Sequence, residues 1–213
     1  DFTQLEDFGE ILNHNIHSWF ADEANLDLWK NLQNEFTFEQ RKADDDMARD
    51  LVSIVKEKMI EYYAGDSRRV HHFLKVHSFA KLIAEMEGME PDEMQVLEIA
   101  ALAHDIGIKN AELKYGYNNG KLQEQEGPPE ARRLLREAGA EDAAVERACY
   151  LVAHHHTYRN IDGLDYQILV EADFLVNMYE DKADADTIRT AYDNIFATES
   201  GKMLCRQLFS LEY

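Results

Sequence analysis

Residues 96–107 run Val96-Leu97-Glu98-Ile99-Ala100-Ala101-Leu102-Ala103-His104-Asp105-Ile106-Gly107. Val96, Leu97, Ala100 and Ala101 recur at steps of three and four, the spacing of one buried helical face. Pro91 suits the first turn of this helix, and Gly107 marks its end. His104 is in step with Leu97 and Ala101, so the helix carries an imidazole inward at its last turn, followed at once by the Asp105 carboxylate.

Helical spacing continues on both sides. Gly65-Asp66-Ser67 breaks the preceding pattern, with Asp66 or Ser67 as N-cap, and a long helix is expected from there to Gly88, burying Val76, Phe79, Ala80 and Ile83. Residues 108–127, with Gly116, Asn118, Asn119, Gly120 and Gly127, read as a long loop with little regular structure, a length that suggests function. Pro128 and Pro129 are expected to open a helix closed at Gly139, followed by helices near 141–156, 164–180 and 184–196 and a short C-terminal one. At the other end, Leu5, Phe8, Leu12, Ile16 and Trp19, then Trp29, Leu32 and Phe36, describe an amphipathic helical pair. No segment alternates like a strand. The expectation is an all-α bundle, with an acidic helical extension at 1–46 and the main domain at 47–213.

Composition excludes several partner classes. The 213 residues hold 42 acids and 22 bases, a formal net charge of −20. Residues 1–50 alone carry 13 acids against 4 bases. Such a surface repels nucleic acid polymers and acidic membranes, and no apolar run approaches the roughly 20 residues of a membrane span. A small anionic substrate remains compatible, because a metal ion or a few bases reverse the potential inside a pocket. Cys149 and Cys205 read as buried free thiols, which fits a reducing, cytoplasmic compartment. The start on Asp1 and not Met, without a basic-then-apolar leader plan, reads as a trimmed or processed end. The N-terminal pair is open to three roles: covering the core, forming a homodimer, or acting as a lid.

Nine histidines are many for so acidic a chain, and they cluster. His72 is in step with Val76, Phe79 and Ile83 on the long helix. His155 and His156 share a face with Val145, Cys149 and Val152. Asp173 is bracketed by Leu169, Ala172 and Val176. Four separate helices thus each deliver an imidazole or carboxylate toward the core, where a carboxylate without a partner is costly. A shared divalent ion is the simplest resolution, and N/O donors without thiolate suit Mn²⁺, Fe²⁺, Co²⁺, Ni²⁺ or Mg²⁺. His155 and His156 are open to either metal or substrate contact. His14, His17, His71 and His77 read as ordinary surface or hydrogen-bonded core residues.

The ordered set of His72 in His-Phe-Leu-Lys-Val, His104-Asp105 in Ala-Leu-Ala-His-Asp-Ile-Gly and Asp173 in Glu-Ala-Asp-Phe-Leu resembles the HD-domain metal-dependent phosphohydrolase superfamily over roughly residues 47–200. The resemblance implies an HD-type helical bundle, His72, His104, Asp105 and Asp173 as ligands of one or two divalent ions, and a small phosphorylated substrate, such as a nucleotide. Two departures stand out. Ile108 occupies a position where some members carry a catalytic Glu and many two-metal members carry Lys, and Lys109 follows one later. The further His that two-metal members place before the next helix is missing, leaving Glu124 or Glu126, with His155 and His156, as candidates for a second ion. For mechanism, Asp105 is the water-orienting carboxylate. Lys109 and Arg159 are the candidate catalytic cations, with Lys114 and Lys121 as stand-ins from the long segment, and Arg69 and Lys75 are candidate substrate contacts. Two other readings share this pattern: a non-catalytic nucleotide- or metal-binding module, and a diiron oxygenase of HD type.

Overall fold

A computed structural model describes residues 50–211, together with Ser18, Ala21, Asp22 and Asn25. The expected N-terminal helical pair, with His14 and His17, lies outside the described residues. The chain divides into compact units at residues 1–48 and 49–213, and the second carries the features that follow. Among the described residues it comprises nine helices: α1 (Leu51–Tyr62), α2 (Ser67–Met86), α3 (Pro91–Ala103), α4 (Gly107–Tyr115), α5 (Gly120–Glu137), α6 (Asp142–Val152), α7 (Leu164–Glu180), α8 (Ala185–Asn194) and α9 (Glu199–Phe209). The all-α expectation holds, with no strand among the described residues. No described helix is long and apolar enough to cross a membrane.

The bundle is arranged around α3, which packs against α1, α2, α6 and α7. Every residue from Leu97 to Ala103 is buried. A helix that is apolar on nearly all sides belongs in an interior, and the run Ile99-Ala100-Ala101-Leu102-Ala103 has that character. Val96, expected in the core, lies half-buried at its edge, as does Phe79 on α2. The helix starts follow local capping chemistry. The Asp66 carboxylate accepts from Arg69 N at 3.2 Å to open α2, and Pro91 occupies the first turn of α3. Cys149 and Cys205 are buried and free, and burial raises both thiol pKa values, that of Cys205 to about 11.

Residues 108–127 correct the sequence reading. They are not a loop but the body of α4 and the first half of α5. The apparent loop formers are caps. Gly116 ends α4 in the left-handed region (φ 78°), and the Asn119 side chain accepts from Leu122 N at 3.0 Å to start α5. Pro128 and Pro129 lie inside α5 and do not begin it. Each removes one helical hydrogen bond. For Pro128, the usual clash of a proline ring with the preceding residue's Cβ is absent, because that residue is Gly127. The α3 helix also ends earlier than expected, at Ala103. His104, Asp105 and Ile106 form a turn that leads straight into α4.

Candidate metal centre

That turn is wedged in place. A Cβ on Gly107 would lie 2.5 Å from Gln123 O and 2.7 Å from Gly127 N, so the backbone after Ile106 presses directly on α5. Tyr63, at the end of α1, donates its hydroxyl to Asp105 O at 2.8 Å. His104 is wholly buried, and its Nδ1 sits 2.7 Å from Ala101 O. A carbonyl only accepts, so Nδ1 carries a ring proton and Nε2 is the nitrogen turned toward the cluster.

Three further elements bring their side chains to this turn. His72, from α2, places Nε2 3.3 Å from His104 Nε2, 3.5 Å from Asp105 Oδ2 and 3.2 Å from Asp173 Oδ1, the last on α7. His104 Nε2 is 3.5 Å from Asp105 Oδ2 and 3.6 Å from Asp173 Oδ1. The turn after α6 contributes His155, whose Nδ1 faces Val152 O at 2.8 Å and whose Nε2 lies 3.5 Å from Asp105 Oδ1. One carboxylate, Asp105, therefore stands between two donor groups: His72, His104 and Asp173 on one side, and His155 with His156 on the other.

These atoms fit a divalent cation. Donors about 2.1 Å from one ion and about 90–110° apart are separated by roughly 3.0–3.4 Å. The observed separations of 3.2–3.6 Å are close to that range. His155 Nε2 and Asp173 Oδ1 are buried without a hydrogen-bond partner, an arrangement that is costly unless something else is bound there. The electrostatics ask for positive charge. Burial alone would lower the His104 pKa, but the Asp105 and Asp173 carboxylates overcome it and push it up to about 9. Burial works to raise Asp105, yet His104 and His155 bring it down to about 2, and His104 and His72 hold Asp173 well below the ordinary carboxylate range against its own burial. For His156, burial and neighbouring His155 lower the ring to about 4, which keeps it neutral.

The cluster opens into a cavity of about 290 Å³ whose lining includes His72, Asp105, Arg69 and Glu180. Of the cations expected there, the structure brings few. Arg69 lines the cavity, but its guanidinium is committed to Asp66 and Glu112, each at 2.6 Å. Lys75 pairs with Glu180 at 2.5 Å. Lys109 turns the other way, donating to Tyr62 O at 3.0 Å and lying 4.7 Å above the Tyr62 ring, because the first turn of α4 directs it at α1. Arg159 is exposed on the loop after His156 and does not line the cavity. Arg68, which the sequence reading passed over, does line it and has no acidic partner among the described residues.

The proposed glutamate ligands are also placed elsewhere. Glu126 is taken by Lys114 and by the Tyr115 hydroxyl at 3.0 Å. Glu124 accepts from His156 N at 3.1 Å and from Thr157 Oγ1 at 2.9 Å, so it fastens the His turn and is not part of either donor group. The same helix supplies Gln123, whose Oε1 is 2.6 Å from His156 Nε2. Lys121 is exposed. His77 is a core residue bonded to Glu98 at 2.9 Å, and His71 is exposed, as expected.

Glu180 and Asn177 went unread, although phase could have found them. They follow Asp173 by seven and four residues, the repeat of one helical face. Glu180 Oε2 lies 3.2 Å from His72 Nδ1, the nitrogen remote from the cluster.

Comparison with known proteins identifies the family. The family model described as HD domain matches residues 69–189, more than half of the chain. The crystal structure of a predicted HD superfamily hydrolase from an uncultured Thermotogales bacterium is 26% identical, with a TM-score of 0.51 over 76% of this chain and 85% of that one. No curated protein matches the sequence.

Proposed function

Because the chain belongs to the HD-domain family of metal-dependent phosphohydrolases, we propose that it hydrolyses a small phosphate ester at the cluster of His72, His104, Asp105 and Asp173. The observation that carries this reading is the convergence of these four side chains, with Asp173 Oδ1 and the neighbouring His155 Nε2 buried and unsatisfied, beside an open polar cavity that His72 and Asp105 line. His72, His104 and Asp173 would hold one divalent ion, and His155 and His156 a second, with Asp105 serving both. A divalent ion bound there supplies the Lewis acidity that polarises a phosphoryl oxygen and the charge that brings a water toward a neutral pKa.

The chain's own residues do the rest. Ala101 O and Val152 O fix the tautomers of His104 and His155 so that both Nε2 lone pairs face inward. The Asp105 carboxylate, pinned through Tyr63 and the Gly107 contact, orients the attacking water and accepts its hydrogen bond. Arg68, which lines the cavity without an acidic partner among the described residues, supplies a guanidinium for the phosphoryl oxygens. The water oxygen bonds to phosphorus as the ester P–O bond breaks, and the departing alcohol takes up a proton.

The test is Asp105→Ala, assayed with p-nitrophenyl phosphate and a panel of phosphoesters under Mn²⁺, Fe²⁺, Co²⁺, Ni²⁺ or Mg²⁺. Removing one preorganised charged group costs about 10²–10³ in rate. Because Asp105 serves both donor groups, a loss of at least that size is expected. A wild type that binds metal and turns over nothing would overturn the hydrolase reading in favour of a binding module. Oxygen uptake by an iron-loaded form would favour an oxygenase.

A further inference from the structure

We infer that the substrate is a small hydroxyl-bearing phosphate monoester of sugar-phosphate dimensions, and that Asn177 is the residue that recognises its hydroxyl group. The inference rests on the hydrolase reading above and goes beyond it.

Size comes first. The cavity that opens from His72 and Asp105 is about 290 Å³, at the lower end of the roughly 300–1,000 Å³ found for small-molecule sites. That space matches a phosphate and a compact organic group. Chemistry narrows it further. Beyond the cluster residues the lining is Asp66, Arg68, Arg69, Asn118, Asn177 and Glu180, with Ile108 as its one aliphatic side chain and no aromatic ring. A nucleobase gains most of its affinity from stacking on aromatic faces. The ring pair of Tyr158, whose hydroxyl is 3.3 Å from His156 Nδ1, and Phe174, with centroids 5.1 Å apart, is not part of this lining. Carboxylates, amides and guanidinium groups instead match an array of hydroxyls.

Most of those polar groups are already engaged. Asn118 donates to Glu112 at 2.7 Å and accepts from Gln123 at 3.1 Å. Asp66 and Arg69 are paired with one another at 2.6 Å, and Glu180 is held by His72 and Lys75. Asn177 differs. It stands one helical turn beyond Asp173 and one turn before Glu180 on α7, it is half-buried, and no hydrogen bond engages its amide among the described residues. A carboxamide offers two donors and an acceptor, so it can both give to and take from a hydroxyl beside the scissile phosphate. Sites built to bond a substrate hydroxyl discriminate strongly against analogues that lack it.

The experiment compares hexose 6-phosphates and pentose 5-phosphates with nucleoside 5′-monophosphates and p-nitrophenyl phosphate, on wild type, Asn177→Ala and Asn177→Asp. Wild type is expected to favour the sugar phosphates at least about tenfold in kcat/KM over the nucleotides. Asn177→Ala is expected to lower the ratio of sugar phosphate to p-nitrophenyl phosphate turnover about tenfold, mostly through KM, with partial rescue in Asn177→Asp. A second readout avoids turnover: by titration calorimetry the phosphonate analogue of glucose 6-phosphate should bind wild type about tenfold more tightly than Asn177→Ala. A preference for nucleotides, or a selectivity ratio untouched by Asn177→Ala, overturns the substrate inference while p-nitrophenyl phosphate hydrolysis keeps the hydrolase reading. Failure to hydrolyse any ester, p-nitrophenyl phosphate included, overturns both.

Discussion

Glu180 Oε2 lies 3.2 Å from His72 Nδ1, while its other oxygen accepts from Lys75 Nζ at 2.5 Å. A carboxylate on the remote nitrogen fixes the imidazole tautomer and raises its basicity toward a metal. Lys75 thus bonds to Glu180 and does not line the cavity. Loss of such a partner typically costs 10–100-fold in metal affinity. Glu180→Ala is expected to weaken Mn²⁺ or Co²⁺ binding by about that factor, with Glu180→Gln intermediate because its amide oxygen still accepts. Chelator competition on the metal-free protein measures this. Unchanged affinity in Glu180→Ala would leave Glu180 as an anchor for Lys75 alone.

Gly107→Ala tests the wedge beneath the cluster. The new methyl would meet Gln123 O at 2.5 Å and Gly127 N at 2.7 Å, both backbone atoms that cannot swing aside. Overpacking costs about 1–3 kcal/mol, and a value at or above the top of that range is expected. Since α5 must shift, Gln123 leaves His156, and weaker binding of a second metal equivalent should accompany the lower unfolding midpoint. Chemical denaturation together with metal stoichiometry reads both effects. A variant as stable as wild type would show that the contact yields easily.

Acid stability should depend on Glu98, a buried carboxylate on α3 far along the helix from the cluster. Burial works to raise its pKa, and bonds from His77 at 2.9 Å and Lys81 at 3.2 Å outweigh that, so it lies below the usual carboxylate value. A group whose pKa is depressed on folding stabilises the fold above its unfolded pKa, about 4.3 for Glu, and loses that contribution as pH falls through the folded value. The difference in unfolding free energy between wild type and Glu98→Gln should therefore be full at pH 6–7 and shrink below about pH 4. Melting curves from pH 3 to 7 measure it. A difference that grows toward acid would reverse the assignment.

The helices that carry the cluster were legible because their inward faces follow a strict repeat. Val76, Ala80 and Ile83 bring His72 along, and Leu169, Ala172 and Val176 bring Asp173. The segment 108–127 was misread because Gly116 and Asn119 are both loop formers and helix caps, and composition alone does not tell a twenty-residue loop from two helices joined by a tight turn. Cations failed for a related reason. Lys109 and Arg159 sit next to residues of the cluster in sequence, but direction depends on where a helix starts, and α4 begins only two residues before Lys109. Arg68, four positions before His72, and Asn177 and Glu180, beyond Asp173, line the cavity, whereas Lys109 and Arg159 do not.

The histidines of the cluster differ in what orients them. His104 and His155 lean on carbonyls of their own helix ends, Ala101 O and Val152 O, which the helix leaves without partners in any case. No side-chain replacement elsewhere can remove those acceptors. His72 leans on a side chain, Glu180. Evolution or an engineer can therefore retune the His72 corner of this centre with a single codon, whereas the His104 and His155 corners change only if the ends of α3 and α6 are rebuilt.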